Sequence, residues 1–157
     1  MQAKEGVVER LNAILTNELT AINQYFLHAE MCRNWGYERL YDKLRDFSIE
    51  EMKDAQRLIA HILYLEGLPN LQRLGTIRVG ENVPEDIQLD ADLERNAVSA
   101  LAEAIAHCAQ VGDYTTRGML EDMIADEERQ LDWLETQQHT ISQVGLENYL
   151  AQQIHDE

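Results

Sequence analysis

The 157-residue chain contains only two prolines, Pro69 and Pro84, and eight glycines. Because these are the residues that most often interrupt a helix, their scarcity leaves long stretches over which helices can continue. Leucine, alanine, glutamate and glutamine, which favour helix over strand, are abundant by contrast. The composition therefore predicts an all-α protein, and a chain of this length fits one domain with one core.

Basic residues are also few, since 13 Lys and Arg stand against 29 Asp and Glu, and the formal net charge is -16. This balance argues against a nucleic-acid partner, because phosphate binding is driven by clusters of Lys and Arg. An acidic chain favours small cationic partners such as metal ions, although an acidic surface exposed to water explains the charge equally well. Composition alone leaves these two interpretations open.

Two further absences bear on the compartment in which the protein is expected. Cys32 and Cys108 lack the spacing of a metal site or of a disulfide framework, so a reducing compartment is the default. The chain also shows no signal peptide and no apolar run long enough to cross a membrane. We therefore expect a cytoplasmic protein with no membrane partner.

The few helix breakers divide the chain into four long helical patterns and one short one. The periodicity predicts helices over residues 5–34, 38–65, 84–111 and 114–143, and a short C-terminal helix at about 146–155. Residues 67–83 have no sustained period, and so long a connection is expected to cross from one end of a bundle to the other. The prediction is a four-helix bundle over about 5–143 with one long crossover and a docked fifth helix, all in a single domain, 1–157.

Four glutamates recur at matching positions in the four predicted helices. The interval from Glu18 to Glu51 is 33 residues, the same as from Glu94 to Glu127, and each residue lies in an otherwise largely apolar row. Burying a carboxylate costs on the order of several kcal/mol unless a cation satisfies it. One such position is compatible with a lysine-paired charge in the core, but four in symmetric register predict a metal site.

The residues that follow two of these glutamates depart from the usual di-iron pattern. In di-iron carboxylate bundles two helices each give one Glu and two give Glu-x-x-His, whose three-residue spacing places both side chains on one helix face. Here residues 51–54 read Glu-Met-Lys-Asp and residues 127–130 read Glu-Glu-Arg-Gln, so both histidines are absent. Asp54 can still ligate through oxygen with a shorter reach, whereas Gln130 is neutral and a much poorer ligand.

With these motifs the chain resembles a bacterioferritin over nearly its whole length. The similar stretches are residues 15–28 (LTNELTAINQYFLH), 50–53 (EEMK), 67–70 (GLPN) and 125–128 (ADEE). The resemblance implies a ferritin-like 24-subunit hollow shell that stores hydrated ferric oxide, with a b-type haem at each two-fold subunit interface. In the family one methionine from each of two subunits holds the haem iron, and Met52 occupies that position.

Met52 can also be considered from its spacing alone. It lies one residue from the Glu51 row, on a helix face with Arg45, Ile49 and Ile59, and the first helix carries a matching stripe of Leu19, Asn23 and Phe26. Two adjacent stripes predict that these helices pack against both the bundle interior and another subunit. Spacing allows either a core methionine that fills a gap or a haem ligand. A thioether is a soft ligand that suits haem iron and raises its reduction potential.

Other polar residues carry weaker expectations. Tyr25 lies on the Glu18 row. Its hydroxyl is expected either to hydrogen-bond a metal-bound carboxylate or to find another partner, as in an ordinary core tyrosine. Asp46 and Glu50, four residues apart, either face a shell cavity and bind incoming iron or form a solvated acidic face. The five histidines are scattered singly, and we assign none of them to a metal.

Two functions remain from the sequence. In the first, the protein is an active ferroxidase that oxidises Fe(II) with O2 or peroxide at a carboxylate-rich di-iron centre. In the second, which we favour because both histidines are replaced, the di-iron site is weak or inactive. The protein would then be a haem-bearing storage subunit that receives electrons from a donor protein. Its shell would consist of copies of this chain alone or of this chain together with a ferroxidase-competent subunit. A DNA-coating mini-ferritin fits poorly, because this chain carries a complete glutamate quartet.

Overall fold

The computed structural model describes residues 1–155, and these residues form five helices. Their bounds are α1 Val7–Asn34, α2 Glu38–Tyr64, α3 Val83–Val111, α4 Tyr114–Val144 and α5 Leu146–Ala151. The predicted four-helix bundle with one long crossover and a short fifth helix is confirmed. Across residues 1–155, every helix is too short or too polar to cross a bilayer.

The helix ends follow the local chemistry of the sequence. At the start of α3 the Asn82 side chain accepts a hydrogen bond from the backbone N–H of Glu85 at 3.0 Å, beside Pro84 in the first turn. Gly112 ends the same helix with φ of 80°, a left-handed conformation that favours glycine. Asp113 then caps α4 by accepting from the backbone N–H of Thr116 at 3.0 Å. Gly112 and Asp113 thus end α3 and start α4, and together they form the connection between these two helices.

The C-terminal segment docks on its own chain, but its helix is shorter than predicted. Tyr149 is buried, and its hydroxyl donates to Gln137 of α4 at 2.7 Å. The helix ends at Ala151 rather than near residue 155, because the backbone N–H groups of Gln152 and Gln153 donate only three residues back, to Tyr149 and Leu150. The Gln153 carbonyl also accepts from the backbone N–H of Arg39 at 3.0 Å, which ties the segment to the start of α2.

The core consists of two apolar clusters, one toward each end of the bundle. The first contains Leu11, Leu15, Ala55, Leu58, Leu101, Leu120 and Met123 among its buried members. The second contains Ala21, Tyr25, Leu44, Phe47, Ile87, Ala91 and Leu134. Along every long helix the predicted glutamate falls between the members of the two clusters. The apolar core is therefore interrupted at mid-height by a polar layer.

One row of polar side chains on α1 holds the long crossover against the bundle. Its members accept hydrogen bonds from backbone N–H groups of the crossover: Asn12 from Asn70 at 2.8 Å, Thr20 from Gly75 at 2.8 Å, Gln24 from Arg78 at 3.1 Å, and His28 from Gly80 at 3.3 Å. The apolar side chains of Leu68, Leu71, Leu74 and Val79 are exposed. The crossover is therefore held mainly through its backbone.

Candidate metal centre

Each of the four long helices contributes one buried glutamate to the polar layer, as the sequence predicts. Glu18, Glu51, Glu94 and Glu127 are all nearly inaccessible to solvent. Glu18, Glu51 and Glu127, together with the buried Asp54, each bring one carboxylate oxygen within 4.8 Å of the others. The four-residue group therefore draws on α1, α2 and α4.

Glu94 completes the layer from α3. Its carboxyl lies beside Glu127, and its Oε1 accepts a hydrogen bond from the Tyr25 hydroxyl at 2.5 Å. Tyr25 therefore contacts a candidate ligand, one of the two roles expected for it. The five predicted carboxylates, Glu18, Glu51, Asp54, Glu94 and Glu127, converge at mid-bundle, and we call them the carboxylate cage.

Burial governs the protonation of the cage. Loss of hydration raises the pKa of Glu18, Glu51 and Glu94 well above the usual value, and neighbouring carboxylates raise it further. Burial and the charge of Glu127 raise the pKa of Asp54 to about 7. Carboxyl groups that cannot all ionise together can do so when a cation replaces their protons.

Five oxygens of the cage lack hydrogen-bond partners within the protein. Glu18 Oε2, Glu51 Oε1, Glu94 Oε2 and both Glu127 oxygens are buried without a hydrogen-bond partner. Throughout residues 1–155, no salt bridge reaches any of the five carboxylates, which rules out the lysine-paired alternative. Unpaired buried acceptors are costly, and a divalent cation such as Fe(II) satisfies several of them at once. The residues of the cage fit a metal.

Gln130 and Glu50 form a pair at the rim of the cage. Gln130 is buried, and its Nε2 donates to Glu50 Oε2 at 2.8 Å, whereas its Oε1 has no partner. Glu50 is exposed and lines a cavity of about 390 Å³ with Gln130, Asp126 and Arg129. Asp46 is also exposed. Glu50 thus has a specific partner that neither sequence interpretation anticipated.

Met52 lies outside the bundle core. It is 55% exposed, and it lines a largely apolar cavity of about 350 Å³ with Leu19, Ile22, Ala55, Gln56 and Ile59. Phe26 on the predicted α1 stripe is 58% exposed. The interpretation of Met52 as a core methionine is therefore wrong for the single chain. Its thioether lies on an apolar surface that leaves room for a further group.

The sequence analysis missed a second buried polar cluster, centred on His28. Its Nδ1 lies 2.8 Å from Asp90 Oδ1 and its Nε2 lies 3.3 Å from Asp86 Oδ1. Gln24 also donates to Asp90 Oδ1, at 2.9 Å. The four-residue spacing of Asp86, Asp90 and Glu94 signalled a carboxylate row on α3. No sequence signal paired that row with His28, because the pairing depends on the antiparallel register of α1 and α3.

The His28 cluster predicts that the folding stability of the protein falls as pH rises. Burial raises the pKa of Asp86 to about 6, and although burial opposes the charge of His28, its hydrogen bond to Asp90 raises the pKa of His28. Both groups hold protons more firmly when folded. The stabilisation of the fold by these two protonated groups is complete below their pKa values in the unfolded chain. It is lost as pH rises through their higher pKa values in the folded protein. The free energy of unfolding, measured by urea denaturation, should therefore fall by about 1 kcal/mol between pH 5.5 and 8.

Asp86→Asn should flatten this pH dependence, because it removes the carboxyl that faces His28 Nε2. Glu103→Gln is the matched control, since Glu103 lies on the same helix but is exposed and pairs with Arg10, away from the cluster. Equal pH dependence in the wild type and in Asp86→Asn would contradict the assignment. Glu85 and the buried Cys32 also lie near the two aspartates and remain unchanged in both variants.

The architecture and the cage together define a class of protein. A bundle with one long crossover and a carboxylate from every long helix at its centre is the arrangement of ferritin-like proteins. Residues 8–144 match the Ferritin family, described as a ferritin-like domain. The bacterioferritin of Mycobacterium leprae is 44% identical over 152 residues, which cover 97% of this chain and 96% of the relative. That of Brucella melitensis is 42% identical over 149 residues, covering 95% and 92%. The chain belongs to the bacterioferritin family.

Proposed function

We propose that this protein is an iron-storage subunit of a haem-containing bacterioferritin shell, with a di-iron site of its own that is weak or inactive in oxidation. The observation that carries the proposal is a buried cage of unpaired carboxylates with no imidazole among its ligands. Membership in the bacterioferritin family supports storage of a ferric oxide mineral. A cytoplasmic location remains a prediction of the sequence.

The cage residues divide into bridging and terminal ligands in this proposal. Glu51 and Glu127 would bridge two Fe(II) ions, and Glu18 and Glu94 would each hold one of them. The substrate ions supply the electrons that reduce O2 or peroxide. Tyr25 orients Glu94 through its 2.5 Å hydrogen bond. Asp54 adds a carboxylate where a histidine is usual, and the loss of both imidazoles changes ligand field and redox poise, which slows oxidation.

Met52 is the proposed haem ligand. Its exposed thioether and the apolar cavity beside it suit a haem held between this subunit and a second copy, each giving one methionine. Bound haem supplies a one-electron relay for iron release. This role requires an electron-donor protein, and the shell can be formed by this chain alone or together with a ferroxidase-competent subunit.

An active ferroxidase is the alternative function, and the position of Asp54 favours it. The Asp54 carboxylate lies within 4.8 Å of Glu18, Glu51 and Glu127 oxygens, so its shorter side chain still reaches the cage. A site with five carboxylates has enough negative charge to hold two Fe(II) ions. The two functions differ in the rate of oxidation, which is directly measurable.

Anaerobic Fe(II) titration of the purified shell, followed by addition of O2, separates the two functions. We expect Fe(II) to bind at the cage and to oxidise at least about tenfold more slowly than in a bacterioferritin with both histidines. Glu51→Gln/Glu127→Gln is the control that removes the proposed bridges. If the unmodified homomer oxidises two Fe(II) per subunit in a fast stoichiometric phase, the active-ferroxidase alternative is correct.

A further inference from the structure

The side-chain amide of Gln130 has two chemically different ends, and the structure uses them differently. Its nitrogen donates to Glu50 Oε2 at 2.8 Å. A carboxylate accepts hydrogen bonds and has none to donate, so only the NH2 end of the amide can face Glu50. The amide oxygen must therefore point away from Glu50.

The oxygen of Gln130 is turned toward the interior. Gln130 is 3% exposed, and its Oε1 is buried without a hydrogen-bond partner, so this atom does not face the cavity beside Glu50. Gln130 follows Glu127 by three residues and shares its helix face. Both Glu127 oxygens are also buried and unpartnered. The amide oxygen therefore joins the unsatisfied acceptors on the cage side of α4.

This orientation adds an acceptor rather than a donor to the cage side. With the amide reversed, the NH2 group of Gln130 would point inward and donate to one of the unpartnered oxygens. Glu50 instead draws the donor outward to the rim and leaves another acceptor inside. A cation that replaces the protons of the cage carboxyls is stabilised by every inward-facing oxygen, and amide oxygen is a hard ligand that suits Fe(II) or Mn(II).

We propose that Glu50 is a positioning residue that holds the Gln130 amide with its oxygen toward the carboxylate cage, where that oxygen serves as a neutral metal ligand. This inference rests on the proposed metal-binding function of the cage. Gln130 would then be a metal ligand whose orientation is set by Glu50, a residue outside the cage.

The test uses Mn(II), which binds oxygen ligands and undergoes no oxidation under anaerobic conditions. Metal-free assembled protein is titrated with Mn(II), and bound and free metal are distinguished by electron paramagnetic resonance. Glu50→Gln retains size but permits the Gln130 amide to adopt either orientation. We expect it to weaken Mn(II) binding at one cage site by about tenfold, the usual scale for losing an orienting partner. Gln130→Leu should weaken it at least as much.

Asp46→Asn is the matched control for charge. Asp46 lies one turn before Glu50 on the same helix, is exposed, and loses the same unit of charge without contact to Gln130. We expect it to change Mn(II) affinity by less than about threefold, since exposed charges act weakly. In the Gln130→Leu background, Glu50→Gln should have no more effect than Asp46→Asn, because no amide remains to orient.

The outcomes separate the inference from the function on which it rests. If Mn(II) binds at the cage and Glu50→Gln behaves like Asp46→Asn, the positioning role is wrong and the metal site stands. If Glu50→Gln weakens binding equally with and without Gln130, Glu50 acts by charge and the inference is again wrong. If Mn(II) binding does not change in Glu51→Gln/Glu127→Gln, the cage is not a metal site and both proposals fail.

Discussion

Replacing Asp54 and Gln130 together with histidine is expected to speed the oxidation of Fe(II) by O2 at least tenfold, roughly. Both positions lie three residues beyond a cage glutamate and on its helix face, so the substitutions create Glu-x-x-His on α2 and α4. Imidazole is a stronger donor to Fe(II) than an amide oxygen. The rate is measured by stopped-flow absorbance after O2 is mixed with the Fe(II)-loaded shell.

Lys53→His/Arg129→His provides the control for this prediction. These residues neighbour Asp54 and Gln130 in the chain but are exposed, so the variant adds two imidazoles outside the cage. Its oxidation rate should match that of the wild type. An Asp54→His/Gln130→His protein that binds Fe(II) but reacts no faster than this control would show that the missing histidines do not limit the site.

Replacing Met52 with leucine should abolish haem binding while the shell stays assembled. Leucine preserves the apolar contacts of the cavity with Leu19 and Ile59 but removes the thioether sulfur, the only soft donor in the cavity lining. The measurement is the absorption spectrum of the haem-reconstituted protein, in which the bands of bis-thioether ligation should disappear. Solution mass should give a closed shell of about 24 chains for both proteins, as the family resemblance implies.

Met119→Leu is the matched control, because Met119 on α4 packs against the first core cluster and does not line the Met52 cavity. It should bind haem as the wild type does. Haem held at full occupancy with an unchanged spectrum in Met52→Leu would refute the ligand assignment. A clean monomer in the wild type would refute the expected shell.

Most of the fold could be predicted from the sequence because helices are specified locally. Breakers such as Pro84 and Gly112 lie where helices start and end, and the apolar period identifies the inward faces. The candidate cage was equally accessible, since one glutamate per helix at matching heights must converge in a bundle. Asp54 followed from the helical spacing that links it to Glu51.

What the sequence could not provide were the contacts that depend on register between helices and on side-chain rotamers. Glu50 and Gln130 are 80 residues apart, and their hydrogen bond depends on how α2 and α4 align. The same holds for His28 with Asp86 and Asp90 across α1 and α3. The bond between Arg39 and Gln153, which ties the segment after α5 to the start of α2, is likewise signalled by no local pattern.

The hydrogen bonds between α1 and the crossover make the two segments differ in how well they tolerate substitutions. The crossover presents backbone N–H groups, which nearly every amino acid supplies, so the side chains of Asn70 and Arg78 can vary without loss of the donor. At Gly75 and Gly80 an added Cβ would press on Thr20 and Asp86, so these two positions are restricted. The α1 row has no such freedom, because acceptors such as Gln24 and His28 are specific to their side chains. The outward-facing side chains of the crossover, Leu71 and Leu74 among them, therefore take no part in this attachment.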